Sequence, residues 1–135
     1  MTHQITIRVY YEDTDLAGVV YYANYLRFIE RGRTEALRDP GIDQAALKRD
    51  RGLVFVVSRL TIDYLAPAVF DDLLEVRTRI ARLRGASLEM AQEVWRGETC
   101  LSRAAVTIAC MGGDRRPQRL PGDVRDRLGG LVTGG

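Results

Sequence analysis

The spacing of hydrophobic residues changes twice along the chain. Residues 4–12 alternate, with Ile5, Ile7 and Val9 on one side and Thr6, Arg8 and Tyr10 on the other. That is the pattern of a half-buried strand. From Tyr22 the apolar positions fall on a 3.6-residue period: Tyr22, Leu26, Ile29, Ala36 and Leu37, widened by Tyr25 and Phe28. The spacing predicts a helix from Tyr22 to Arg38, with Arg27, Glu30, Arg31, Thr34 and Arg38 on its polar face. Gly32 sits mid-helix, at a cost of about 1 kcal/mol relative to alanine; close approach to a sheet underneath would account for it. Asp39-Pro40-Gly41 stops the helix. A short helix follows over 42–50, ended by Gly52. The period then returns to two through Leu53–Tyr64, Leu74–Ala81, Leu88–Trp95 and Leu101–Met111. Turn signals at Pro67 and Asp71-Asp72, Arg84-Gly85 and Gly97-Glu98 separate these runs. Residues 112–135 form a C-terminal extension with a short helix at 121–128 and a glycine-rich end expected to be mobile.

Three hairpin-linked strands at short spacing make an antiparallel meander. One long helix comes early, after the first strand. The economical arrangement is an α+β fold in which a curved antiparallel sheet wraps that helix. At 135 residues, 46% of them hydrophobic and 28% charged, the chain is expected to form one globular domain over 1–135.

The charge balance narrows the function. A net charge of +2 gives no footprint for nucleic acid. The N-terminus, MTHQITIRVYY, has no cationic stretch leading into an apolar run, so no signal peptide is expected. No apolar stretch reaches the roughly 18 residues of a transmembrane segment, and a cytoplasmic location is expected. Cys100 and Cys110 lie in a strand-like run and read as buried free thiols. Two cysteines and one histidine do not compose a usual zinc site, so no metal is expected. The single histidine, His3, lies at the chain start, which argues against histidine-activated nucleophiles and against dehydratase chemistry. No GxGxxG or GxxxxGK[ST] loop is present. A carboxylate is the best remaining acid, base or nucleophile.

Carboxylates cluster in one place: Glu12, Asp13 and Asp15, on a loop ahead of the long helix. A helix start offers unpaired backbone N–H groups, here those of about Tyr22, Ala23 and Asn24. Such donors can stabilise an oxyanion, each worth about 3 kcal/mol of barrier. A loop over 15–20 that folds back would set a carboxylate facing them across a carbonyl carbon, a geometry suited to acyl transfer to water. Spacing alone leaves a plainer alternative, in which Asp13 or Asp15 caps a turn or the helix.

The run YYEDTDLAGVVYYANY, Tyr10 to Tyr25, resembles the signature of the hotdog-fold acyl-CoA thioesterases. The closest group is the 4-hydroxybenzoyl-CoA thioesterase family, and within it the branch associated with the Tol-Pal system. The resemblance continues at Phe28, Glu30, Arg31, Arg33 and Thr34, at Phe55-Val56-Val57, at Asp63-Tyr64-Leu65-Ala66-Pro67-Ala68 and at Arg84-Gly85-Ala86-Ser87-Leu88. It implies a helix wrapped by a five- or six-stranded antiparallel sheet. It also implies homodimers, often homotetramers, with active sites at the dimer interface. The substrate would be an acyl-CoA, hydrolysed to free acid and CoA, with no cofactor beyond the coenzyme A that the substrate itself carries. The catalytic carboxylate falls on Asp15, as nucleophile or as general base toward water. The N–H that polarises the thioester carbonyl falls on Tyr22 or close by. Tyr11, Gly18, Val19, Ala23 and Asn24 are the expected substrate neighbours, with Val57 and Ser58 contributed by the partner subunit. Arg84 is expected, with Arg82, Arg115 and Arg116, near the phosphates of coenzyme A. Tyr22 stands where the Tol-Pal branch usually has histidine, and Gly32 where many relatives have alanine. The alternative is a non-catalytic module that binds acyl-CoA or acyl-carrier protein.

Overall fold

The structure, a computed structural model, describes residues 2–132; the glycine-rich end at 133–135, expected to be mobile, lies outside the described residues. The elements run β1 (His3–Arg8), α1 (Asn24–Arg38), α2 (Gln44–Arg51), β2 (Val54–Tyr64), β3 (Leu73–Leu83), β4 (Ser87–Arg96), β5 (Thr99–Met111) and α3 (Gly122–Leu128). The strands form one five-stranded antiparallel sheet in the order β1-β3-β4-β5-β2. The expected α+β hotdog architecture is therefore present, with β3, β4 and β5 as the meander.

Two boundaries beside the acidic loop differ from the sequence reading. The first strand ends at Arg8, because Tyr11–Asp13 tightens into a 3₁₀ turn. The long helix begins at Asn24, two residues late, because Tyr21, Tyr22 and Ala23 form a preceding turn. The apolar stripe is also rotated. α1 buries Tyr25, Phe28, Ile29, Gly32, Ala36 and Leu37, while Tyr22 and Leu26 stay exposed. Gly32 sets that rotation. A Cβ on it would lie 2.7 Å from Val76 Cγ1, 3.0 Å from Thr78 Oγ1 and 3.3 Å from Gln92 Nε2. Only a residue without a side chain lets the helix backbone approach β3 and β4 so closely.

Gln92 joins the two layers. It is fully buried, and its Nε2 donates to Ile29 O at 2.7 Å and to Thr78 Oγ1 at 2.9 Å. Its Oε1 accepts from Arg33 Nη1 at 3.1 Å, so the buried amide has partners on both sides. Burial lowers the Arg33 pKa. Around this pin the concave face of the sheet supplies Leu74, Val76, Ile80, Leu88, Met90, Val94, Val106 and Ile108 to the core. Residues 112–132 pack onto the same core through Leu120, Val124, Leu128 and Leu131. Cys110 is buried and Cys100 half-buried, both free, and burial raises the Cys110 pKa. Among the described residues, no helix is long and apolar enough to cross a membrane.

Candidate active site

The acidic loop is built by two turns stacked on each other. Asp13 serves the first. Its Oδ2 accepts the Tyr10 N–H at 2.8 Å, and its carbonyl accepts Tyr21 N–H at 2.9 Å and Asn24 Nδ2 at 2.9 Å. Asp15 makes the second. Its Oδ1 accepts Ala17 N–H at 2.9 Å, its carbonyl accepts Gly18 N–H at 3.0 Å, and its own N–H donates to Val19 O at 3.0 Å. Gly18 closes this turn at φ +83°, a left-handed conformation that glycine adopts without steric cost. The chain then returns beside itself, with Thr14 bridged to Val20 and Val19 to Val69.

The two aspartates are thereby separated in role. The half-buried Asp13 carboxylate uses one oxygen to cap the 3₁₀ turn. Asp15 is exposed and uses one carboxylate oxygen in an Asx-type turn. Capping, the plainer alternative, thus engages one oxygen of each aspartate, and Asp15 is the one open to solvent. Glu12 is exposed on the outer side of the turn.

After Val20 the chain enters the helix through Tyr21, Tyr22 and Ala23. Tyr21 O accepts Asn24 N–H at 2.8 Å, and Tyr22 O accepts Tyr25 N–H at 3.3 Å. Among the described residues, neither Tyr22 nor Ala23 finds a protein acceptor for its own N–H. These are the two free donors at the helix start. Asn24, expected among the donors, instead has its N–H inside the turn and its side chain on the Asp13 carbonyl. The Tyr21 hydroxyl is pushed to a higher pKa by its hydrogen bond with the Tyr22 side chain, with the Asp15 carboxylate adding to the effect. Tyr21 and Tyr22 follow the acidic loop directly and lead into the helix start.

Aromatic rings wall this neighbourhood. Tyr22 packs tilted on Tyr21 with centroids 4.9 Å apart and edge-on to Tyr64 at 6.0 Å. Tyr11 is 82% exposed and meets Phe70 edge-on, so it is not a core tyrosine at a strand end. Tyr64 is not among the site residues expected from the sequence; its position in the Asp63–Ala68 run is the available signal.

Other predicted residues lie elsewhere in the single chain. Val57 and Ser58 are exposed on β2, at a bulge where the register with β5 shifts. They are seven and six residues from Tyr64, roughly 20–23 Å along the strand. Arg84 lies at the β3–β4 hairpin, at the same end of the sheet as Val54, and pairs with Glu89 at 2.9 Å. His3 pairs with Asp39 at 2.7 Å, beyond the far end of α1 from the acidic loop.

Known proteins share this sequence and architecture. Residues 17–102 match the thioesterase superfamily, a stretch that opens just after Asp15. The chain is 45% identical to the acyl-CoA thioesterase YbgC of Haemophilus influenzae over 120 residues, covering 88% of each chain. It is 46% identical over 117 residues to the acyl-CoA thioester hydrolase YbgC of Escherichia coli O6:H1, covering 85% of this chain and 87% of that one. Among solved structures, a probable thioesterase from Bartonella henselae superposes with a TM-score of 0.85 at 44% identity, covering 90% of this chain and all of that one. This chain belongs to the thioesterase superfamily.

Proposed function

We propose that the protein hydrolyses acyl-CoA thioesters to free acid and CoA, with Asp15 as the catalytic carboxylate. The observation that carries the reading is an exposed Asp15 on the loop that leads into α1, together with the Tyr22 and Ala23 N–H groups left without a protein acceptor at the start of that helix. In hydrolysis a water oxygen bonds to the carbonyl carbon, the C–S bond breaks, and the sulfur leaves as the CoA thiolate. Negative charge collects on the carbonyl oxygen on the way. Backbone donors at a helix start stabilise that charge without reorganising. Asp15 acts either by taking the proton from water or by attacking the carbonyl itself to form an anhydride that water then opens. Tyr22 stands where the Tol-Pal branch usually has histidine. No cofactor enters these steps, and the substrate class fits a cytoplasmic location. The names of the YbgC relatives support the same substrate class.

The working unit is a homodimer, with a homotetramer as the further assembly. Among the described residues β2 has β5 on one side only, so one edge of this 11-residue strand is unpaired there. Such an edge, with Val56 and Val57 exposed beside it, is a template for pairing with a second chain. Antiparallel pairing of two β2 strands would lay the partner's Val54–Ser58 end beside Tyr64. Val57, Ser58 and the Arg84 hairpin would then reach the acidic loop from the other subunit.

The test is release of CoA thiol over short-chain, long-chain and aromatic acyl-CoAs. Turnover of at least one class is expected. Binding of acyl-CoA without turnover of any would overturn the enzymatic reading in favour of a binding module.

A further inference from the structure

Tyr64 ends β2, and its hydroxyl donates to the carbonyl of Tyr22 at 3.0 Å, across 42 residues of sequence. A peptide unit is planar and trans, so its C=O and N–H point in opposite directions; no cis peptide occurs among the described residues. The N–H that belongs to the Tyr22 carbonyl is that of Ala23, one of the two free donors of the site. We infer that Tyr64 is a positioning residue: by holding the Tyr22 carbonyl it fixes the Tyr22–Ala23 peptide and so aims the Ala23 N–H at the substrate carbonyl.

The peptide lies in the turn ahead of α1, which begins at Asn24, and that turn is closed by Asn24 N–H on Tyr21 O at 2.8 Å. Among the described residues, the one other donor to the Tyr22 carbonyl is Tyr25 N–H, at a longer 3.3 Å. The Tyr64 ring is itself held, edge-on to Tyr22 at 6.0 Å and to Tyr25 at 5.3 Å. Tyr25 is buried, and its hydroxyl accepts the Ala68 N–H at 3.0 Å. Ala68 in turn accepts Val20 N–H at 2.8 Å. The chain after β2 is pinned as well, with Leu65 N–H on Leu101 O at 2.8 Å and Pro67 O accepting from Arg96 Nη1 at 3.0 Å. Tyr64 thus reaches the helix start from a frame tied to both the sheet and the acidic loop. Burial, then the neighbouring Tyr22 and Tyr25, raise the Tyr64 pKa, so the hydroxyl keeps its proton and remains a donor at neutral pH.

This inference rests on the thioesterase reading. Its test is Tyr64→Phe, which keeps the ring and deletes the donor. Expected are a kcat lower by roughly 10- to 100-fold, a KM within about twofold of wild type, and an unchanged melting temperature. An unchanged kcat, or a raised KM with kcat intact, would overturn the inference, the latter by making Tyr64 a substrate contact. Absence of turnover in the wild type would defeat the thioesterase reading instead. A second measurement separates the two failures. In the free proteins, the NMR order parameter of the Ala23 N–H should be lower in Tyr64→Phe than in wild type. Equal order parameters would show that Tyr64 does not order this peptide.

Discussion

Asn24, the first residue of α1, donates its side-chain amide to the Asp13 carbonyl at 2.9 Å. The helix start and the acidic loop are therefore one unit, and the free N–H groups of Tyr22 and Ala23 sit inside it. Asn24→Ala removes this tie. The expected cost is about 1 kcal/mol of stability, read by urea unfolding, with a fall in kcat larger than that loss accounts for at saturating substrate. Loss of stability alone, with kcat intact, would mean that the tie does not organise the site.

Gly32 and Val76 make a second close relationship. Adding a Cβ at 2.7 Å from Val76 Cγ1 overpacks the layer between α1 and β3, at about 1–3 kcal/mol. The helical gain from alanine, about 1 kcal/mol, offsets part of it. Gly32→Ala should lower the melting temperature. In a Val76→Ala background the same change should be neutral or stabilising. A stabilised single variant would show that the helix and sheet are farther apart than described.

Arg51 on α2 and Asp123 on α3 form a two-pronged ion pair at 2.9 and 3.2 Å. The guanidinium hydrogen bonds hold the Asp123 carboxyl below the usual range. A carboxyl depressed in the folded state contributes its stability in full above the unfolded pKa, about 3.9. That contribution is lost as pH falls through the lower folded value. Asp123→Asn should therefore lower the melting temperature slightly near pH 7, and by progressively less as pH falls below about 3.9. A difference that persists unchanged into acid would contradict the assignment.

The unpaired edge of β2 predicts an assembly. Light scattering at micromolar concentration should give at least twice the mass of one chain. Val57→Lys, placing a charge beside that edge, should shift the distribution toward monomer and lower activity together. A stable, fully active wild-type monomer would contradict both the dimer and the shared site.

Periodicity made the elements legible in the sequence, and its failures are local. Leu88, Met90, Gln92 and Val94 share a buried face as their alternation required. The stripe of α1 was misplaced at Tyr22 and Leu26, because the close contact at Gly32 turns the helix by its backbone, which hydropathy does not register. The place of β2 beside β5 was hidden, since sequence neighbours pair only within the meander. Within the site, residue types led to the Glu12–Asp15 loop, and the family motif singled out Asp15. The division of labour between Asp13 and Asp15 needed hydrogen-bond directions. The contact between Tyr64 and the Tyr22 carbonyl joins residues 42 apart, beyond what any local pattern encodes.

The central claim is that the Asp15 carboxylate drives thioester hydrolysis. Asp15→Asn keeps the shape and the oxygen that accepts the Ala17 N–H while removing the charge. The direct measurement is CoA thiol release by wild type and Asp15→Asn on the acyl-CoA that wild type turns over fastest. The account predicts a kcat lower by about 10²- to 10⁴-fold in a protein that melts at the wild-type temperature. Equal kcat in the two proteins would contradict it.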